Sequence, residues 1–249
     1  MRKTIRKAII VGASSGIGAA LARRIAAGGG SVALVARRGD MLADVANSID
    51  TSSGSRVIVV PHDVTRRDEI PGLFQDCTRK LDGLDTIIYA AGVMPTVGPS
   101  EFDTEKDASM IEVNTLGAIA WLNEAALRFD ALGSGCIVGI SSIAGDRGRR
   151  MNPVYCTSKA ALNTYLEALR NRLAVKGVQV STVKPGFVET DMVAGRSGLL
   201  WMISPDEAAD TIVRRVERGA EVFYVPARWR LVGTIVRALP SFLFRRINI

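Results

Sequence analysis

Ala8-Ile9-Ile10-Val11-Gly12-Ala13-Ser14-Ser15-Gly16-Ile17-Gly18-Ala19-Ala20-Leu21-Ala22 decides the reading of this chain. An apolar run of strand length breaks at Gly12, and an alanine-rich helical stretch follows Gly18. In a strand–turn–helix of this form each glycine has its own task. Gly12 permits a tight exit from the strand, Gly16 lets backbone approach a pyrophosphate, and Gly18 allows close packing of helix on strand. The helix start, with Ile17 in its first turn, offers free N–H groups and a positive dipole end to phosphates. Ser14 and Ser15 add hydroxyl donors. The spacing GxxxGxG therefore predicts a dinucleotide-binding turn between the first strand and the first helix.

Outward from this turn, β-branched runs recur at 31–36, 57–61, 86–90, 136–140, 178–184 and 221–225. Between them lie stretches with apolar spacing near that of a helix, at 18–27, 42–49, 68–81, 111–129, 155–176 and 205–218. Such alternation implies right-handed strand–helix–strand units. Several strands are apolar throughout, as burial on both faces requires. The reading is α/β: a doubly wound Rossmann fold of about seven parallel strands with helices on both faces. It spans 1–226, and 227–249 is a basic, apolar extension packed on the domain, a subunit or a membrane surface. Ligands of such sheets bind outside the carboxyl ends of the strands.

The chain has 249 residues, 47% hydrophobic and 23% charged, which excludes a mainly disordered protein. No run approaches the ~18 apolar residues of a membrane-spanning helix. Met1-Arg2-Lys3 before an apolar segment imitates a signal peptide, but Gly12 breaks that segment early, so a strand and a cytoplasmic address are expected. The three cysteines, Cys77, Cys136 and Cys156, lack CxxC spacing, and His62 is the one histidine. Neither a disulfide framework nor a metal site is expected. Net charge is +7, and Arg228, Arg230, Arg237, Arg245 and Arg246 follow Glu221 with no further acid. The rest of the chain is nearly balanced, which argues against a nucleic-acid face.

The strand ends carry the chemistry. The second strand ends in Arg37-Arg38, where an acid would favour NAD. Two guanidiniums there suit the 2′-phosphate of NADP(H), so NADP(H) is preferred to NAD(H). Asp63, before Val64, is read as an acceptor for an adenine amino group or as a helix cap. Ala90, Ala91 and Gly92 are small enough for backbone to run beside a ribose. Tyr155-Cys156-Thr157-Ser158-Lys159 is YxxxK, and i, i+4 spacing on a helix puts both side chains on one face. A lysine cation beside a phenol stabilises the phenolate and suits the tyrosine to general acid–base work. Ser142 lies thirteen residues before Tyr155, after an apolar strand, and Asn114 lies in the preceding long helix.

Together these motifs resemble the short-chain dehydrogenase/reductase family, over residues 8 to about 225 and in the family's order. The resemblance implies that Tyr155 exchanges a proton with the substrate oxygen and that Ser142 orients it. Lys159 would lower the Tyr155 pKa and hold the nicotinamide ribose, and Asn114 would hold a water of a proton relay. Pro185-Gly186-Phe187-Val188-Glu189-Thr190 matches the family's PGxxxT turn, with Val188 and Thr190 fixing the carboxamide. Ser141 is read as structural. Tyr89 departs from the pattern, since the family has Asn there to tie the central strands together. The expected activity is an NADP(H)-dependent oxidoreductase, reducing an apolar keto substrate. The alternatives are an epimerase or isomerase with transient oxidation, and a non-catalytic dinucleotide sensor. The family commonly forms homodimers or homotetramers.

Three further stretches remain open. Arg147, Arg149 and Arg150, between Ser142 and Tyr155, grip an anionic substrate or form a solvated loop. Residues 192–203, with Gly195 and Gly198, read as a lid with glycine hinges or as core packing. In the tail, Leu231/Val232, Ile235/Val236 and Leu239 recur at helical spacing, and this basic amphipathic helix lies on a membrane or covers a subunit.

Overall fold

A computed structural model describes residues 4–52, 54–98, 100–195 and 198–247. Met1, Arg2 and Lys3 of the signal-like start, and Arg196 and Ser197 of the glycine-hinged segment, lie outside the described residues. Strands and helices alternate along the chain. The order is β1 (Lys7–Val11), α1 (Gly16–Ala27), β2 (Ser31–Ala36), α2 (Gly39–Asn47), β3 (Val57–Pro61) and α3 (Ile70–Lys80). Then come β4 (Thr86–Tyr89), α4 (Thr104–Ile111), α5 (Gly117–Leu132), β5 (Gly135–Ile140), α6 (Pro153–Leu173) and β6 (Val178–Pro185). α7 (Pro205–Glu217), β7 (Val222–Val225), α8 (Trp229–Ala238) and α9 (Ser241–Phe244) complete it.

The strands pair in parallel in one seven-stranded sheet, ordered β3-β2-β1-β4-β5-β6-β7. The chain winds outward from β1 to β3, then returns to the other side of β1 with β4. A crevice opens where the winding reverses, at the carboxyl ends of β1 and β4. The doubly wound α/β Rossmann fold read from the sequence is the fold observed.

Alternation of side chains along each strand feeds two cores. Ile10, Leu34 and Val138 join Leu21 and Ile25 of α1, Leu42 of α2 and Ile212 of α7 on one face. Ile9, Val11, Ile87 and Ile137 join Phe74 of α3, Trp121 and Phe129 of α5 and Leu166 of α6 on the other. Both faces of the central strands are covered, hence the unbroken apolar runs of β1 and β2, while β6 carries buried Ser181, Thr182 and Lys184 among its apolar residues. Cys77, Cys136 and Cys156 are buried. α6 sits close to the sheet because β5 has glycine beneath it. A Cβ on Gly139 would lie 2.3 Å from Leu166 Cδ1.

Local signals set the helix ends. Ser204 and Glu207 form a reciprocal capping box at the start of α7. α5 ends at Gly133, in the left-handed region at φ 64°. One element differs from the sequence reading. The helix expected at 111–129 is a π-helical segment Glu112–Leu116 followed by α5, and it is preceded by α4, which starts at Thr104 with Asp103 as its cap, accepting from Lys106 N–H. The polar run Glu105-Lys106-Asp107 carries no apolar period, and only Met110 of α4 is buried, so periodicity could not find it.

α8 packs on the domain's own surface. Trp229 is buried with Ile143 and Tyr224, and a Cβ on Gly186 would meet Trp229 Nε1 at 2.0 Å. Among the described residues, no helix is long and apolar enough to cross a membrane.

Candidate active site

A cavity of about 730 Å³ lies across the carboxyl ends of β1 to β6. Its wall includes Gly12, Ser14, Ser15, Gly16, Ile17, Gly18, Arg37, Arg38, Asp63, Val64, Ala90, Ala91 and Gly92. Ser142, Tyr155, Lys159, Pro185, Gly186, Val188 and Thr190 complete the set of sequence-selected residues there. Asn114 stands behind the wall, fully buried.

The turn after β1 is tight for steric reasons. Gly12 has φ +92°, and a Cβ there would come within 2.4 Å of Ala91 N. A Cβ on Gly18 would come within 2.1 Å of Gly12 O, so α1 can start only because both are glycine. Ser15 precedes α1 in an extended conformation and makes no side-chain capping bond, which leaves the first helical turn facing the cavity without a capping side chain. Arg38 reaches back over this turn. Its Nη2 donates to Ser14 Oγ at 3.2 Å and to Ser15 Oγ at 3.1 Å. The hydroxyl protons of both serines stay available to a ligand. Positive charge, hydroxyls and a helix N-terminus thus meet at one end of the cavity, a donor set that fits the phosphates of a dinucleotide.

Asp63 is engaged locally. Its Oδ1 accepts from Thr65 N–H at 3.0 Å and Thr65 Oγ1 at 2.9 Å, and Arg37 Nη1 lies 3.9 Å from Oδ2. Burial pushes its carboxyl up, but the Thr65 bonds, Arg37 and His62 together bring it below the ordinary value. Asp63 caps no helix, as the N-cap positions of the next two helical segments are Arg66 and Glu69; its Oδ1 instead closes a local turn onto Thr65, while Asp63 still lines the cavity.

Tyr155 and Lys159 stand on α6, whose first position is Pro153, where no N–H partner is needed. Tyr155 lies in the first turn and Lys159 one turn on, its Nζ 5.8 Å from the phenol ring centre. The Tyr155 hydroxyl approaches Met192 Sδ at 3.9 Å. Lys159 is buried, donates to Ile140 O at 3.1 Å, and is pulled down to about 8 by burial. Ser142 caps the short turn Ile143–Asp146, its Oγ accepting from Ala144 N–H. Its neighbour Ser141 turns the other way and donates to Lys159 O at 3.2 Å, within the protein.

Asn114 sits in the π-helical segment. Its Oδ1 accepts from Val93 N–H at 2.7 Å, and its Nδ2 donates to Val93 O and Ser158 Oγ, both at 3.0 Å. A Cβ on Gly92 would lie 3.3 Å from Asn114 Oδ1 and 3.4 Å from Lys159 Nζ. Gly92 therefore keeps the space that both groups face. Tyr89 also serves this region. Fully buried, it donates from its hydroxyl to Val113 O at 2.6 Å, and burial raises its pKa far above the ordinary phenol value. It ties β4 to the segment that carries Asn114.

Sequence reasoning missed Met94 and Pro95, which line the remaining wall from a loop without periodicity, beside Phe187 of the PGxxxT turn, Met192 of the glycine-hinged segment, and Cys156 and Asn152 from the start of α6. The three arginines after Ser142 separate: Arg149 lines the cavity, Arg150 is exposed, and Arg147 points away to the tail. The anionic-substrate grip considered for Arg147 is thereby corrected. Its Nη1 donates to Val236 O at 2.6 Å and to Leu239 O, and its guanidinium lies 4.1 Å over the Phe244 ring. A helix end otherwise leaves such carbonyls unpaired, and a cation there also opposes the dipole's negative end. The adjacent Asp146 carboxylate takes Lys184 on one oxygen and the Tyr224 hydroxyl, at 2.7 Å, on the other. Burial and the Asp146 carboxylate push Tyr224 up to about 12. At the far end of the glycine-hinged segment, Ile203 is fastened to Phe187 and Glu189 by main-chain bonds.

Comparison with known proteins places this geometry. Residues 6–198 match the family model of short chain dehydrogenases. An uncharacterised oxidoreductase of Mycobacterium tuberculosis is 30% identical over 98% of this chain and 97% of its own. One of Staphylococcus aureus is 34% identical over 77% of this chain and 81% of its own. Among solved structures, a short-chain type dehydrogenase/reductase of Mycobacterium ulcerans aligns with TM-score 0.80 at 25% identity, over 90% of both chains. A short chain dehydrogenase of Burkholderia cenocepacia, in complex with NADP, aligns with TM-score 0.84 at 24% identity, over 100% of both chains, a likeness of fold.

The bond between loop and tail has a measurable consequence. Arg147→Ala leaves the Val236 and Leu239 carbonyls without their guanidinium and should cost about 1–2 kcal/mol in urea unfolding. Protease should then cut within 228–247 faster than in wild type. An unchanged midpoint with unchanged cleavage would mean that Trp229 alone holds the tail.

Proposed function

The chain belongs to the short-chain dehydrogenase/reductase family, NAD(P)-dependent oxidoreductases acting on CH–OH and C=O groups, and from that premise we propose that it reduces an apolar ketone with NADP(H). One observation carries the reading. Ser142, Tyr155 and Lys159 line the same cavity as the glycine turn and the Arg37-Arg38 pair.

The residues divide the work by chemistry. Main chain of Gly16, Ile17 and Gly18 and the hydroxyls of Ser14 and Ser15 would hold the pyrophosphate. Arg37 and Arg38 would take the 2′-phosphate, a task for which guanidinium has several directed donors. Asp63, Val64, Ala90, Ala91 and Gly92 would line the adenosine side. Pro185, Gly186, Val188 and Thr190 would fix the carboxamide. A nicotinamide bound there supplies the hydride chemistry. The protein's own part is the proton. Tyr155 gives its hydroxyl proton to the substrate oxygen in reduction and removes it in oxidation. Ser142 donates a hydrogen bond to the same oxygen and sets its position. Lys159, as the cation, makes the phenolate less costly, and Asn114 supports its proton exchange through the space beside Gly92. Met94, Phe187 and Met192 give the substrate end an apolar wall, which favours a greasy carbonyl. Oligomers are common in the family, and a homodimer or homotetramer is the assembly proposed here.

Tyr155→Phe should lower turnover of a ketone with NADPH by a hundredfold or more, on the scale of general acid–base catalysis, with NADPH binding little changed. Retained turnover would remove Tyr155 from the mechanism, and turnover without net loss of NADPH absorbance would signal epimerisation instead.

The pH profile tests Lys159. In the oxidative direction kcat/KM rises with pH as Tyr155 ionises. Removing a neighbouring cation destabilises the phenolate, so Lys159→Met should move that rise upward, toward the ordinary phenol value of about 10. A rise that stays in place would show that Lys159 does not tune Tyr155.

Cofactor choice rests on the arginine pair. Arg37→Ala with Arg38→Ala should weaken NADPH binding by about two to four orders of magnitude, given charge-assisted bonds of about 1.5–3 kcal/mol each. NADH binding should fall far less, and equal losses would mean that neither arginine reads the 2′-phosphate.

A further inference from the structure

α8 is apolar on two opposite sides. Trp229, Gly233 and Val236 are buried against the domain. Leu231 and Ile235, one turn apart, are 68% and 52% exposed. By helical rotation the ridge of Leu231, Ile235 and Ala238 lies roughly opposite the buried stripe. Arg228 flanks it on one side and Arg230 and Arg237 on the other. A helix that only covered its own core would need one apolar stripe. The second ridge continues past Pro240 into Phe242, which is 54% exposed, beside Arg245 and Arg246.

A loop extends this face. Leu200, Trp201 and Met202 are exposed, yet Trp201 is pinned to the helix. Its ring is edge-on to Trp229 at 5.4 Å and lies 5.2 Å beneath the Arg228 guanidinium. Neither 198–203 nor anything after Glu221 contains an acid. Helix and loop thus form one surface of large apolar side chains set among arginines.

Charge selects the occupant. A twofold contact of this face with a second copy gathers the arginines of both copies with no acid of the face to pair them, which is repulsive. Anionic lipid headgroups satisfy the arginines while the acyl boundary takes Leu, Ile, Phe and Trp. We infer that this face docks on an anionic lipid bilayer, lying in the interface without crossing it. The aromatic contact continues inward. Phe187, a residue of the cavity wall, is edge-on to Trp229 at 5.4 Å, so the docking face adjoins the cavity. The substrate class that fits is a lipid carbonyl or its alcohol, resident in that bilayer. This last step rests on the oxidoreductase reading, whereas the docking itself does not.

The full-length protein is to be sedimented at low salt with vesicles of phosphatidylglycerol and phosphatidylcholine in equal parts, and with phosphatidylcholine alone. It should pellet with the first, not with the second, and high salt should release it. Leu231→Asp with Ile235→Asp should abolish pelleting. Arg245→Gln with Arg246→Gln should weaken it, roughly fivefold for each arginine removed. NADPH binding and reduction of a water-soluble ketone should be unchanged in both variants, which separates failure of docking from failure of the oxidoreductase reading. Wild-type protein left in the supernatant with anionic vesicles overturns the inference. So does a double aspartate variant that pellets as wild type does. A loss of assembly mass in that variant by light scattering assigns the face to a second copy, and also overturns it.

Discussion

An ammonium group taken out of water must find acceptors or give up its proton. Lys159 is buried at the carboxyl end of β5, with the Ile140 carbonyl 3.1 Å from its Nζ. The surrounding chain is shaped to that seat. Gly139 lets α6 approach the sheet, and Gly145 must be glycine because a Cβ there would lie 2.7 Å from Lys159 C. Ser141 holds the Lys159 carbonyl, and Gly92 keeps open the space that Nζ and Asn114 share. Burial pulls the Lys159 pKa down to about 8, so this ammonium holds its proton less tightly than a solvated one.

A second constraint acts at the other end of the cavity. Backbone must come closer to backbone than any side chain allows, at Gly12 against Ala91 and at Gly18 against Gly12. That contact sits at the crevice between β1 and β4, where the winding of the sheet reverses. The fold supplies the crevice, the glycines its depth, and Arg38 the positive charge above it. The Tyr155–Lys159 pair and the Arg38-covered glycine turn thus share one cavity, each built from the carboxyl ends of neighbouring strands.

Asp146 joins these parts to the tail. It is a buried carboxylate between Lys184 on β6 and Tyr224 on β7. A charge in such a place is stable only when its partners are complete. The next residue, Arg147, closes on the end of α8 and on Phe244. The short turn that begins at Ser142 is therefore fastened twice at its far end, by Asp146 to the sheet and by Arg147 to the tail helix. Position of the Ser142 hydroxyl depends on contacts far from it in sequence.

The sequence alone carried the sheet, because strands buried on both faces must be apolar without alternation and the glycine turn marks where the first ends. It also carried Tyr155, Lys159 and Ser142 as candidates, since i, i+4 spacing and strand ends are local properties. It did not carry α4 or the π-helical segment between α4 and α5. That segment is held by Tyr89, whose hydroxyl reaches Val113 O across the fold, and the polar surface of α4 hides its period. Nor could it assign the arginines after Ser142. Arg149 and Arg147 differ by two positions, yet one lines the cavity and the other caps a helix 89 residues away. Composition and periodicity report what a residue is and which face it shares. Only the tertiary structure decides which distant carbonyl or carboxylate meets its charge, because that partner is chosen by packing in space and not by neighbourhood along the chain.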